Sequence, residues 1–396
     1  MDSSRYRVDD VMTRAVVGVG RNALFKDIVE RMERWHVSAV PVLEGDGRVA
    51  GVVSEADLLP KEEFWDNNPA AFTRLHRGAD LAKAGARTAE RLMSAPAVTV
   101  RSGAPVADAA RIMAERHVKR LPVVDAGGVL VGVISRRDLL GVLPGLSSDE
   151  PESSHGRSPT PGAPWKEPCP PREVRGDTMY GSPRTVGDVM TCTVAAVGPH
   201  APFKEIVRLM QDRRVSALPV IEGEGRVVGV VSEADLLPKE EVWDAPGPGG
   251  TALLGRRDAA KAEALTAAEL MSSPAVTVHA EAPLAQAART MAQNGVRRLP
   301  VVGDDGLLAG VVSRTDLLKV FLRSDADIAE EVRHEVVSHL FRPPASTVHV
   351  EVNDGVVTFV GQVRDTSLVP VAAGLARAVD GVVDVEFDLA PARTMG

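Results

Sequence analysis

Four short stretches place a hydroxyl and a carboxylate three residues apart: Ser54 with Asp57, Ser135 with Asp138, Ser232 with Asp235, and Ser313 with Asp316. Each follows a β-branched run (GVVS or GVIS) and leads into a helical segment beginning with Asp-Leu-Leu. A strand feeding a helix N-terminus leaves free N–H donors and a positive dipole end, where an anion can dock. The same spacing is that of a helix cap. There the serine takes the N3 amide and the aspartate reaches back, like a capping box with Asp in the Glu place. Cap and ligand site can be one geometry.

The elements that must position these pairs are repeated with them. Each copy is preceded by an apolar strand bearing proline (AVPVL, RLPVV, ALPVI, RLPVV) and a Gly-rich turn. Upstream lies an amphipathic helix, in the first unit with Phe25, Ile28, Val29 and Met32 at helical spacing. Before that come an extended piece, such as Ala97–Val100, and a short helical lead-in ending at Met12, Met93, Met190 or Met271. Met12 to Met190, Asp57 to Asp235 and Asp138 to Asp316 are all offset by 178, while Met12 to Met93 and Asp57 to Asp138 are offset by 81. Four units in two duplicated pairs follow from these offsets.

These units resemble CBS domains, which work in tandem pairs and commonly bind adenosine nucleotides or related adenosyl compounds. The resemblance implies a mixed α/β (α+β) fold of four β-α-β-β-α units. It also implies a regulatory adenosine nucleotide, with no cofactor required for chemistry. AMP, ADP, ATP, S-adenosylmethionine and cyclic dinucleotides all remain open. In that family the aspartate bonds the ribose diol and the serine lies near ribose or phosphate, which assigns Ser54, Asp57, Ser135, Asp138, Ser232, Asp235, Ser313 and Asp316. Phosphate contacts map upstream, onto Lys119-Arg120 and Arg297-Arg298. The first and third units carry Ser38-Ala39 and Ser216-Ala217 there, with Glu55 and Glu233 at the helix mouth. Phosphorylated ligands are therefore expected at Asp138 and Asp316. The Asp57 and Asp235 sites are expected empty or filled by a less charged adenosyl group.

The units are placed at residues 8–73, 88–143, 185–251 and 266–322. Ala-rich connectors join paired units, and Pro246–Gly250 makes the third unit's exit irregular. Residues 144–184, rich in Pro, Ser and Gly and without periodicity, read as a flexible linker. About 40 residues of coil span roughly 30–40 Å, enough for the halves to meet as an internal pseudo-dimer. A homodimer with exchanged halves is the alternative.

Residues 324–392 read α-β-β-α-β. Ile328, Val332, Val336 and Leu340 line one helical face, and Asn353-Asp354-Gly355 marks a hairpin. This tail resembles a BON domain, a module associated in its family with phospholipid or envelope. Yet the tail from Ser324 carries 12 acidic residues against 5 Arg and no Lys, most of the chain's net −8. Weak or no membrane association is expected, because anionic headgroups repel it.

Several function classes drop out. With 396 residues, 44% hydrophobic and 25% charged, the chain reads as two to four globular domains. No signal peptide and no apolar run near 20 residues is visible, so a cytoplasmic address is expected, with peripheral membrane contact left open through the tail. No basic face suits nucleic acid. Cys169 and Cys192 have no metal spacing and demand no disulfide. The glycines from Gly45 to Gly51 have their third member one place late for a dinucleotide fingerprint. His334 and His339 lie five apart, about 140° around a regular helix, which argues against a zinc pair. CBS pairs accompany IMP dehydrogenases and cystathionine synthases, but those catalytic domains need a few hundred further residues. The expectation is a non-enzymatic sensor with an unknown protein target. An assembly scaffold with empty sites and an envelope-associated stress protein acting through the tail are the alternatives.

Overall fold

The computed structural model describes residues 6–63, 82–140, 185–236, 261, 264–341 and 347–391. The linker expected at 144–184, the Pro246–Gly250 exit and much of both connectors lie outside these residues.

The first unit contains α1 (Val8–Val11), β1 (Val19–Gly20), α2 (Phe25–Arg34), β2 (Ala39–Leu43), β3 (Val49–Ser54), α3 (Glu55–Leu58) and α4 (Pro60–Glu63). The second has α5 (Ala89–Leu92), β4 (Val100–Arg101), α6 (Val106–Glu115), β5 (Arg120–Val124), β6 (Leu130–Ser135) and α7 (Arg136–Leu140). The third runs through α8 (Val186–Val189), α9 (Phe203–Asp212), β7 (Ala217–Glu222), β8 (Arg226–Ser232) and α10 (Glu233–Leu236). The fourth comprises α11 (Ala267–Leu270), β9 (Val278–His279), α12 (Leu284–Gln293), β10 (Arg298–Val302), β11 (Leu308–Ser313) and α13 (Arg314–Leu318). In units 1, 2 and 4 a short first strand runs parallel to the proline strand, which pairs antiparallel with the Ser-bearing strand. Unit 3 keeps only a Val197–Val220 bridge in place of its first strand.

The lead-in helices are exchanged within each pair. Val8 and Met12 of α1 are buried among Met113, Leu121 and Ile134 of unit 2, and Thr13 bridges Val133. Ala89 and Leu92 of α5 reciprocate, packing with Phe25, Ile28 and Val53 of unit 1. Thr191 bridges Val311 and Ser272 bridges Val230 in the second pair. The glycine of each GVVS or GVIS run makes room for the arriving methionine. A Cβ on Gly132 would stand 2.4 Å from Met12 Sδ, and one on Gly51 2.6 Å from Met93 Sδ. A sequence unit is thus not a packing unit.

The pairs meet with unit 1 against unit 4 and unit 2 against unit 3. Phe25 and Phe321 pack edge to face with centroids 5.0 Å apart, inside a core that both units share. Thr315 donates to Glu55 across this contact, and Arg289 donates to Glu63 O at 3.2 Å. On the other side Arg137 pairs with Glu233 at 3.3 Å.

The tail has α14 (Asp325–Val332), α15 (Ser338–Leu340), β12 (Thr347–Asn353), β13 (Val356–Val363), α16 (Val369–Arg377) and β14 (Asp384–Pro391), with sheet order β12-β13-β14. Its own core centres on Phe359, Val332 and Ala376. Between α14 and α15, residues Arg333–Val337 form a π-turn. Its i→i+5 bonding brings residues five apart onto one face. The His334 and His339 rings therefore lie 6.4 Å apart, where regular helical geometry placed them apart. Among the described residues no three His, Cys, Asp or Glu side chains group for a metal, and no helix is long and apolar enough to cross a membrane. Cys192 is disulfide-bonded, a bond its spacing did not demand.

Candidate functional site

The Ser–Asp pairs are built alike. Ser54 donates its backbone N–H (2.7 Å) and hydroxyl (2.6 Å) to Asp57 Oδ2. Ser135 does the same to Asp138 (2.7 and 2.8 Å), Ser232 to Asp235 (2.8 and 2.7 Å) and Ser313 to Asp316 (2.9 and 2.6 Å). Capping thus uses Oδ2 and leaves Oδ1 to other partners.

What meets Oδ1 separates the units. In unit 1 Lys83 donates to Asp57 Oδ1, and Ser94 Oγ donates to it at 3.1 Å. In unit 3 Lys261 donates to Asp235 Oδ1. Both aspartates are buried. Among the described residues Asp316 Oδ1 in unit 4 has only the exposed Lys319 at 3.2 Å, and no hydrogen bond reaches Asp138 Oδ1. Asp138 and Asp316 are half-buried.

Strand register sets the second difference. Arg120 stands opposite Ser135 and Arg298 opposite Ser313, whereas Ala39 faces Ser54 and Ala217 faces Ser232. Arg120 donates to Ser38 Oγ at 2.7 Å, tying unit 2 to unit 1. Among the described residues no hydrogen bond or ion pair engages the side chains of Lys119, Arg297 or Arg298.

Lys119, Arg120, Arg136, Arg137, Arg297, Arg298 and Arg314 therefore gather at the inner ends of the units, against Glu55 and Glu233. Burial lowers the Lys119 ammonium from the usual 10.5 to about 7, helped by Arg297 and Arg136. It lowers Arg297 to about 10, with Arg314 adding repulsion. Arg120 and Arg298 are also pushed down by burial, against the pull of Glu55 and Glu233. Burial raises Glu55, opposed by its bond from Thr315. Arg314 Nε is buried with no hydrogen-bond partner among the described residues. Such an excess of half-buried cations favours an anion carrying several oxygens.

One sequence expectation changes at this point. Glu55 and Glu233 do not stand open at the helix mouths, since Thr315 and Arg137 of the opposite pair hold them. Lys83, Lys261 and Ser94 were not singled out in the sequence. Their signal was the duplication itself, which repeats the lysine at offset 178 within a run that also keeps Ala82, Ala84 and Ala86 as Ala260, Ala262 and Ala264.

Residues 8–61, 89–145, 186–239 and 267–323 match the family described as CBS domain, and residues 324–390 match the BON domain. The CBS domain-containing protein YhcV of Bacillus subtilis is 32% identical over 133 residues, covering 34% of this chain and 82% of that protein. An uncharacterized protein of Methanocaldococcus jannaschii is 27% identical over 154 residues, covering 34% of this chain and 90% of its own length. A crystal structure of CBSX2 in complex with AMP, a protein of Arabidopsis thaliana, aligns at 31% identity with a TM-score of 0.31, over 35% of this chain and 97% of that one.

Proposed function

Because this chain belongs to the CBS domain family and ends in a BON domain, we propose that it is a non-catalytic regulatory protein that senses adenosine-containing ligands in its pair clefts. The observation that carries the reading is the arginine set by strand register across from the Ser–Asp pair in units 2 and 4. An open carboxylate oxygen suits a ribose diol, and a half-buried guanidinium beside it suits a phosphate. Units 1 and 3 lack the arginine, and a lysine already holds the aspartate. Phosphorylated ligands then belong at Asp138 and Asp316, held by Ser135, Ser313, Lys119, Arg120, Arg297 and Arg298. Occupancy there alters how the pairs pack, because the same cations border the contact between them.

Calorimetry with AMP tests this. A hydrogen bond to a charged group contributes about 1.5–3 kcal/mol, so losing one weakens binding roughly 10- to 150-fold. Asp138→Ala with Asp316→Ala is expected to lose that much or more, while Asp57→Ala with Asp235→Ala keeps the wild-type affinity. The reverse pattern overturns the assignment of sites. No binding of AMP or ATP by the wild-type chain favours an assembly scaffold.

A further inference from the structure

The segment that holds Asp57 also holds the tail. Lys83 Nζ donates to Asp57 Oδ1 and to Ser94 Oγ (3.3 Å), with the lysine side chain only 19% exposed. One residue on, Ala84 O accepts from Lys61 Nζ at 2.8 Å, and that ammonium also donates to Val383 O of the tail at 3.2 Å. Ala86 N–H returns to Lys83 O at 3.0 Å, which keeps the segment a tight turn. Arg87 then reaches Asp384 at 2.7 Å and Glu386 at 2.6 Å, both at the start of β14. Four residues thus couple a carboxylate in unit 1 to the tail's edge strand.

We propose that Lys83 is a tethered occupant of the Asp57 site, and that a ligand whose ribose diol takes Asp57 Oδ1 displaces it and loosens the tail from unit 1. The proposal rests on Asp57 being a diol site. Oδ2 is committed to Ser54, so Oδ1 is the oxygen a diol must use, and the lysine stands there. Freed of that bond, residues 82–87 lose one of the anchors that position Ala84 O and Arg87, the Phe25 N–H bond to Arg87 O at 2.9 Å remaining. The duplication supplies a control. Lys261 makes the same bond to Asp235, but the residue in Arg87's place is Leu265, 67% exposed and unable to form an ion pair. Unit 3 has the occupant without the grip.

Hydrogen exchange on the full-length protein reads the latch, followed over residues 382–388. Lys83→Met is expected to raise exchange there several-fold, and Lys261→Met to leave it at the wild-type rate. Equal exchange in Lys83→Met and wild type, or an equal rise in both variants, overturns the proposal. With Asp138→Ala and Asp316→Ala as background, AMP should bind the Lys83→Met chain at least about tenfold more tightly than its parent, since it no longer competes with a charged bond. Reciprocity requires that Arg87→Ala, which cuts the grip without touching Asp57, also tighten AMP in that background. This second variant carries the test if Lys83→Met does not fold. No gain in AMP binding in either variant overturns the displacement. AMP bound at Asp57 in the Asp138→Ala/Asp316→Ala background with an unmoved tail sinks the latch while leaving the proposed function standing. AMP binding nowhere sinks both.

Discussion

Lys119 is where the basic centre becomes measurable in solution. Its folded pKa of about 7 lies below the unfolded 10.5, because burial and then Arg297 and Arg136 disfavour its charge. Between those values the unfolded chain binds more protons than the folded one, so through this group stability rises with pH from about 7 to 10.5. Below 7 both states carry the proton and the charge is a full burden on the fold. An incoming phosphate reverses the local balance by stabilising the ammonium. AMP binding at pH 8 is therefore expected to take up a proton, and affinity to fall as pH rises above 7. Calorimetry in buffers of differing ionisation heat checks this. Uptake unchanged in Lys119→Gln would place the proton elsewhere. The Ser–Asp pairs and the arginines next to Leu-Pro were legible in the sequence because local spacing and register fix them. Lys83 was not, because its bond spans 26 residues of chain and no local pattern announces such a closure.

At the scale of elements, the exchanged lead-ins decide what each unit needs in order to be stable. Unit 2 receives α1 from the start of the chain, and Gly132 must stay without a side chain to admit Met12. Gly132→Ala is expected to cost about 1–3 kcal/mol, the usual penalty of overpacking. Shortening Met12 to Ala in the same chain should recover part of that loss. Denaturation midpoints of the two single variants and the double variant check it, and strictly additive losses would mean that the contact is not the cause. The β-α-β-β-α order and its repeats could be read from periodicity and turn residues. The exchange could not, since a helix of four residues with two apolar positions says nothing about which sheet will cover it. The π-turn at Arg333–Val337 was hidden likewise, because the i→i+5 pattern is a local departure that apolar spacing does not encode.

In the whole molecule, the two pairs are joined through cores as well as surfaces. Unit 1 shares its interior with unit 4, and Phe321 is fully buried against Phe25. Phe321→Ala is expected to lose about 3–5 kcal/mol and to expose amides of α2, nearly 300 residues away in sequence. Exchange confined to unit 4 would show the cores to be separable. The duplication at offset 178 showed that two like halves exist, but equivalent surfaces do not say which unit meets which. Unit 1 against unit 4 is matched by unit 3 against unit 2, with Thr315 on Glu55 in the first contact and, at the equivalent positions, Arg137 on Glu233 in the second. The shared core also bears on how the protein is made. Unit 1 leaves the ribosome before the other three, yet it lacks α5 until Leu92 emerges and Phe321 until unit 4 has followed. At about 5–20 residues per second, the interval from Leu92 to Phe321 is roughly 10–45 s. For that time Phe25 and its neighbours present an unfinished apolar face, so the earliest made of the four units waits for the latest before its core is closed.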